Sequence, residues 1–152
     1  MDGLLHYEDF PAGEVITYGR WEVTAEEIVD FARDFDPQPF HLDEAAGRRS
    51  ILGGLAASGW HVCAMMNRMM VDAYLGRSAS MGSFGIAEMK WRRPVLAGDV
   101  LPIRRTTLEK RVSRTRPEMG IITFRFEAID TSGTVTSEMT GTNLIRTRAS
   151  LA

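Results

Sequence analysis

The sequence predicts an α+β fold in which a curved antiparallel β-sheet wraps around a central α-helix, and three observations carry that expectation. The run from Leu55 to Leu75, "LAASGWHVCAMMNRMMVDAYL", is apolar nearly all round, with His61, Arg68 and Asp72 as one narrow polar stripe, so it reads as a helix that must be enclosed. After Gly82 the hydrophobic period changes from that of a helix to that of strands. In "GIITFRFEAID", Ile122, Phe124, Phe126 and Ala128 alternate with Thr123, Arg125 and Glu127, which gives one greasy face and one wet face. Wrapping the greasy face around the enclosed helix satisfies both elements at once. With 152 residues, 44% of them hydrophobic, the chain is expected to form one domain spanning 1–152.

The elements follow in order. Residues 23–35, "VTAEEIVDFARDF", carry a helix start: Thr24 as N-cap, Glu27 placed to close a capping box, and Val23 able to staple onto Ile28. Ile28, Phe31, Ala32 and Phe35 share the apolar face, which leaves Asp30 and Asp34 on the wet side. Pro37 and Pro39 disfavour helical geometry at Asp36 and Gln38, so this helix ends by Phe35 or Asp36 and the chain turns. Asp43 then stands as the N-cap of a short helix over "EAAGR". Gly53 and Gly54 precede the enclosed helix and Gly76 stops it. "FGIAEMKWRRPV", "DVLPIRRTTLEKRVS", "GIITFRFEAID" and "TVTSEMTGTNLIRTR" are the strands, divided by turns at Ala97-Gly98-Asp99, Pro117-Glu118 and Ser132-Gly133.

Composition narrows the function classes. A formal charge of -2 provides no general basic field, so neither nucleic acid nor an anionic membrane is an expected partner. The single cysteine, Cys63, sits in an apolar run; it allows no intrachain disulfide and points to a reducing compartment. The start "MDGLLHYEDFPAGE" lacks a basic segment followed by an apolar one, and no later window is long and apolar enough to span a bilayer, so a soluble, cytoplasmic protein is expected. His6 and His61 show no metal-ligand spacing, His41-Leu42-Asp43 lacks a further ligand, and no metal is expected.

Ionisable groups crowd into "DFDPQPFHLDEAAGR", residues 34–48. Five residues apart, Asp36 and His41 would diverge on a helix and lie on opposite faces of a strand; a loop stiffened by two prolines lets them meet. A carboxylate beside an imidazole can orient the ring, activate a water and return a proton. The residues equally allow a plainer reading, in which Asp36 terminates the helix and His41 is an ordinary loop residue.

The segments "YEDFPAGE", "VTAEEIVDFARDFDPQPFHLDEAA", "GGLAASGW" and "KWRRPVLAGDVL", in that order, resemble the MaoC-like acyl dehydratases and (R)-specific enoyl-CoA hydratases of the hotdog fold. That family's signature, Asp, any residue, Asn, Pro, any residue, His, falls on Asp36 to His41, with Gln38 in place of Asn and Gly53 where some members carry a His. The resemblance implies that Asp36 and His41 activate water for reversible syn addition across a 2-enoyl thioester. It implies an acyl-CoA or acyl-carrier thioester as substrate, with no cofactor beyond the coenzyme A of the substrate itself. It also implies a homodimer, or a dimer of dimers, whose sheets join edge to edge. For the oxyanion donor, backbone N–H groups where the enclosed helix begins are suitably placed, and Gly54 is the nominee; "GG" could equally be a helix breaker. Ser58 and Gly59 are further candidates for substrate contact. Arg92 and Arg93, with Lys90, Arg104 and Arg105, could meet coenzyme A phosphates or could simply be solvated strand surface. Met65, Met66, Met69 and Met70 read as core packing or as the wall of an acyl site. The rivals are a hotdog thioesterase and a thioester-binding subunit without turnover, because one scaffold hosts many activities.

Overall fold

The computed structural model describes residues 3–151. Six strands form one antiparallel sheet: β1 (Val15–Glu22), β2 (Ser80–Gly82), β3 (Ile86–Trp91), β4 (Val100–Val112), β5 (Met119–Ile129) and β6 (Val135–Arg146). Their order is β1-β4-β5-β6-β2, and β3 pairs with β6 beside β2, so that β2 and β3 together make a broken edge strand. The helices are α1 (Ala25–Phe35), α2 (Pro39–Leu42), α3 (Glu44–Arg49) and α4 (Gly59–Ala73). The expected curved sheet around a central helix is what the chain forms. Among the described residues no helix is long and apolar enough to cross a membrane.

The core lies between α4 and the concave face of the sheet. Val62, Met65, Met66, Met69 and Met70 of α4 are buried in one cluster with Leu101 and Ile103 of β4, with Ile122, Phe124, Phe126 and Ala128 of β5, and with Ile145 of β6. Each such side chain taken fully out of water contributes about 1.5–3 kcal/mol, which is what encloses a helix this apolar. Close approach is needed on the β1 side: Gly19 has φ +73, and a Cβ there would lie 2.7 Å from the Met69 sulfur. A register irregularity between Tyr18 and Trp21 accompanies it. Arg105 is expected at the surface but is buried, because its guanidinium stacks over the rings of Phe10, Tyr74 and Phe124 at 5.2, 4.6 and 4.8 Å and pairs with Glu14.

Other expectations change. The enclosed helix starts at Gly59, four residues later than Leu55, since the backbone of 55–58 is already committed elsewhere: Ala57 N–H donates to the Val95 carbonyl, Ala97 N–H to that of Leu55, and Ala56 N–H to that of Phe40. It ends at Ala73, and Gly76 falls in the short 3-10 turn Leu75–Arg77 that follows. Thr24 caps α1 by accepting from Glu27 N–H, but no box closes, because the Glu27 carboxylate accepts the Trp21 indole N–H at 2.7 Å instead. Phe35 is 72% exposed while Ile28 and Ala32 are buried; it sits at the last turn of α1, where its ring meets the tilted ring of Phe31. β1 and β2 were not among the expected strands. Asp43 does cap α3, accepting from Ala46 N–H at 2.7 Å.

Candidate active site

Pro37 and Pro39 end α1 as the sequence suggests, but residues 39–42 form the short helix α2 where a loop is expected, and His41 sits on it. α1 stops at Phe35, Asp36 becomes its C-cap, and Pro39 opens α2 at its first position, where a missing N–H costs nothing. The resulting bend brings His41 Nε2 to 3.4 Å from Asp36 Oδ2, with the two side chains largely buried. His41 Nδ1 lies 2.6 Å from the Ala56 carbonyl oxygen. A carbonyl only accepts, so Nδ1 carries the proton and Nε2 is left as the basic nitrogen facing the carboxylate.

Asp36 is gripped from two sides. The Ser58 hydroxyl donates to Oδ2 at 2.7 Å, and the Gln38 amide donates to Oδ1 at 2.7 Å. Burial pushes the Asp36 pKa up, but these two hydrogen bonds and the charge of His41 outweigh it, and the carboxyl is held below its ordinary value. Ser58 is wholly buried at the N-cap of α4 and makes no cap bond to that helix, having given its hydroxyl to Asp36. Gly59 therefore opens α4 immediately beside the acid. A Cβ at Gly59 would fall 2.4 Å from the Trp91 ring, whose indole N–H donates to the Gly59 carbonyl.

Not every nominated residue joins this cluster. Gly54 lies in the buried segment ahead of α4, with its carbonyl packed where a Cβ on Gly47 would sit, so the argument that placed it at the helix start fails and passes to Gly59. Arg92 is paired with Glu138 at 3.2 Å and Arg93 with Asp130 at 3.6 Å; Arg104 forks onto Glu127. These cations are already compensated by carboxylates. The roles of Gln38 and Ser58 toward Asp36 were not foreseen: Gln38 stood two residues away as a visible signal, whereas nothing local links Ser58 to a partner 22 positions earlier.

A second imidazole sits close by on the first turn of α4. His61 stacks on Phe31 with ring centroids 4.6 Å apart and planes within 8°, and its Nε2 is 3.8 Å from Glu27. Burial lowers its pKa, partly opposed by Glu27. It ties α1, and hence Asp36, to α4. Along the other side of α4 runs a mostly apolar groove of about 490 Å³, lined by Cys63, Asn67 and Met70 of α4, Phe126 of β5, and Met139 and Asn143 of β6. Cys63, at its head, lies about one turn beyond Gly59.

Residues 9–125 match the family described as MaoC like domain. The MaoC-like dehydratase from Rhodospirillum rubrum is 37% identical and superposes with a TM-score of 0.85 over 95% of this chain and 98% of that one. The R-hydratase PhaJ1 from Pseudomonas aeruginosa, at 17% identity, shares the fold with a TM-score of 0.72 over 95% of this chain and 86% of that one. In Bacillus subtilis, the uncharacterized protein YdeM is 27% identical over 116 residues, covering 76% of this chain and 81% of its own length. With most of its length matched and an acid–imidazole pair set beside the start of its central helix, the chain is a hotdog-fold member of the MaoC-like dehydratase family.

Proposed function

We propose that the protein interconverts a 2-enoyl thioester and a 3-hydroxyacyl thioester by adding or removing water. The observation that carries this reading is the 3.4 Å approach of His41 Nε2 to Asp36 Oδ2, with the far side of each group already fixed by Ala56, Ser58 and Gln38. Two basic atoms set side by side in this way suit a water that sits in front of the pair rather than between them and gives up its proton to the imidazole. In the hydration direction, His41 Nε2 takes a proton from that water as its oxygen bonds to C3 of the enoyl group. The double-bond electrons move to the thioester oxygen, and the imidazolium, stabilised by Asp36, returns the proton to C2. Both additions come from one side, so the outcome is syn.

The developing enolate needs a donor, and we assign that role to the backbone N–H of Gly59. It is the first residue of a 15-residue helix, where N–H groups lack intrahelical partners and the dipole adds positive potential. We assign the working form to a homodimer: β3 offers its free edge with exposed Ile86 and Trp91, and exposed Trp60 of α4 lies against Trp91. Incubation with 2-enoyl-CoA esters of several lengths should remove the conjugated thioester absorbance. No loss with any ester, or release of free thiol from saturated acyl-CoA, would reject the hydratase in favour of binding alone or thioester hydrolysis.

A further inference from the structure

His61 stands two residues beyond Gly59 on the first turn of α4 and takes no part in the proton transfers. Its ring lies flat against Phe31 of α1, and its Nε2 faces the Glu27 carboxylate at 3.8 Å. A carboxylate only accepts, so Nε2 carries the proton and Nδ1 is left with a bare lone pair. Among the described residues that buried Nδ1 has no hydrogen-bond partner. Leaving a buried acceptor unmet costs about 1–3 kcal/mol, which a phenylalanine ring stacked on Phe31 in the same way would avoid. Packing alone would therefore favour a hydrocarbon ring at position 61, and the imidazole stands there against that preference.

What the imidazole adds over phenylalanine is its contact with Glu27, and that residue is a junction of three elements. Its carboxylate accepts the Trp21 indole N–H of β1 at 2.7 Å and faces His61 of α4, while its own backbone N–H donates to Thr24 at the start of α1. Elsewhere α1 has little purchase, for only Ile28 and Ala32 of this helix are buried. Asp36 stands at its C-terminal end, where the Ser58 hydroxyl fixes one point of the helix against the start of α4. A rod held at one point can pivot. The His61 contact supplies a second point at Glu27, about 13.5 Å away along α1 at 1.5 Å per residue, and two points fix a direction. The reaction reads that direction: C3 of the enoyl group must lie at the Asp36–His41 pair while the thioester oxygen lies at the Gly59 N–H, so a tilt of α1 changes the span that the substrate has to bridge.

We propose that His61 is a positioning residue for the hydration: by holding Glu27 and Phe31 it sets the direction of α1, and with it the span from the Asp36 carboxylate to the Gly59 N–H. The kinetic half of the test rests on the hydratase reading; the structural half does not. His61→Phe keeps a stacked ring and removes the nitrogens. It should lower kcat for a 2-enoyl-CoA ester about tenfold or more with KM within about twofold, as for a misplacement felt in the transition state, while the melting temperature holds or rises because the unmet Nδ1 is gone. Glu27→Gln should lower kcat in the same way, and the double variant E27Q/H61F should be no worse than the poorer single one, since both changes break one contact. In a crystal structure of E27Q/H61F the Asp36 carboxylate should lie about 0.5 Å or more from its wild-type position relative to Ser58, beyond the tolerance of a productive site. Wild-type kcat in H61F, a raised KM with kcat unchanged, a kcat loss that tracks a lowered melting temperature, or losses that multiply in the double variant would each overturn the proposal. An unmoved carboxylate overturns it whether or not the protein turns over any ester. A displaced carboxylate in a chain whose wild type hydrates no ester would support the tie and reject the hydratase.

Discussion

Ser58→Ala tests the architecture of the site most directly. The serine hydroxyl is fully buried, makes no cap bond to α4, and donates to Asp36 Oδ2 at 2.7 Å, so its removal deletes one interaction and leaves a small cavity. A hydrogen bond to a charged group contributes about 1.5–3 kcal/mol. With tenfold in rate for every 1.4 kcal/mol, roughly, and with Gln38 still holding the other carboxylate oxygen, kcat/KM for a 2-enoyl thioester should fall about 10- to 100-fold. The pH profile supplies a signature that mere loosening would not. Ser58 is one of the groups holding the Asp36 carboxyl below its ordinary value, so its loss raises that pKa and the acidic limb of kcat/KM should move to higher pH. Initial rates from absorbance at 2-enoyl thioester concentrations below KM, taken across pH 3–8 with melting curves alongside, measure both effects. Wild-type kcat/KM with an unmoved acidic limb in a folded Ser58→Ala protein would refute the idea that Ser58 sets the state of Asp36.

Asp36→Asn and His41→Ala should each lower turnover by about 10² or more while circular dichroism and melting behaviour stay close to wild type, since the first removes the charge that stabilises the imidazolium and the second removes the group that transfers the proton; wild-type turnover in either would remove it from the mechanism. Gly19→Ala should cost about 1–3 kcal/mol in chemical denaturation, because the new Cβ meets the Met69 sulfur and the backbone has positive φ, and the cost should shrink when Met69 is also replaced by Ala. The bidentate contact of Arg104 holds the Glu127 carboxyl below its ordinary 4.5. A depressed carboxyl pKa stabilises the fold above the unfolded-state value and loses that contribution as pH falls through the folded-state value, so Glu127→Gln should be destabilising at pH 7 and progressively less so below about pH 4.5 in denaturant titrations. A gap between the two proteins that is independent of pH would contradict that account.

How far the chain could be read in advance depended on how local each determinant was. Period and punctuation placed α1, α3, α4 and the strands β3 to β6, because caps, prolines and alternating faces are written within a few residues. The bend at Asp36 to His41 was legible for the same reason: the two prolines sit between the groups they bring together. β1 was hidden because its pattern is interrupted at Gly19, and the reason for that glycine is a methionine 50 positions further on. The late start of α4 was hidden too. Leu55–Ser58 has the composition of the helix that follows it, and only pairing with Val95–Ala97, distant in sequence, keeps it extended. Alternation along β4 puts Arg105 on the inward face with Leu101 and Ile103 and turns Arg104 outward, but the three rings from separate elements that receive the buried guanidinium are not written near it.

The late start of α4 is also what makes the site. Had the helix begun at Leu55, the Ala56 carbonyl would have accepted from the N–H of Trp60, four residues on, and could not have oriented His41. Ser58 would have been an interior helical residue with its hydroxyl drawn toward the preceding turn. Because 55–58 is held extended by Val95 and Ala97, the Ala56 carbonyl is free for His41 Nδ1, the Ser58 hydroxyl is free for Asp36, and the first N–H of α4 falls on the next residue. The connection between β3 and β4 thus positions the chemistry indirectly, through a short segment that does no chemistry of its own. It follows that disturbing the Ala57 to Val95 pairing, for example with a proline at position 57 that removes the donated N–H, should damage turnover more than Ser58→Ala. Both members of the dyad would then lose their anchors at once, and kcat/KM should fall by more than about 100-fold. A folded Ala57→Pro protein with rates like those of Ser58→Ala would show that the serine alone, not the extended segment, holds the site.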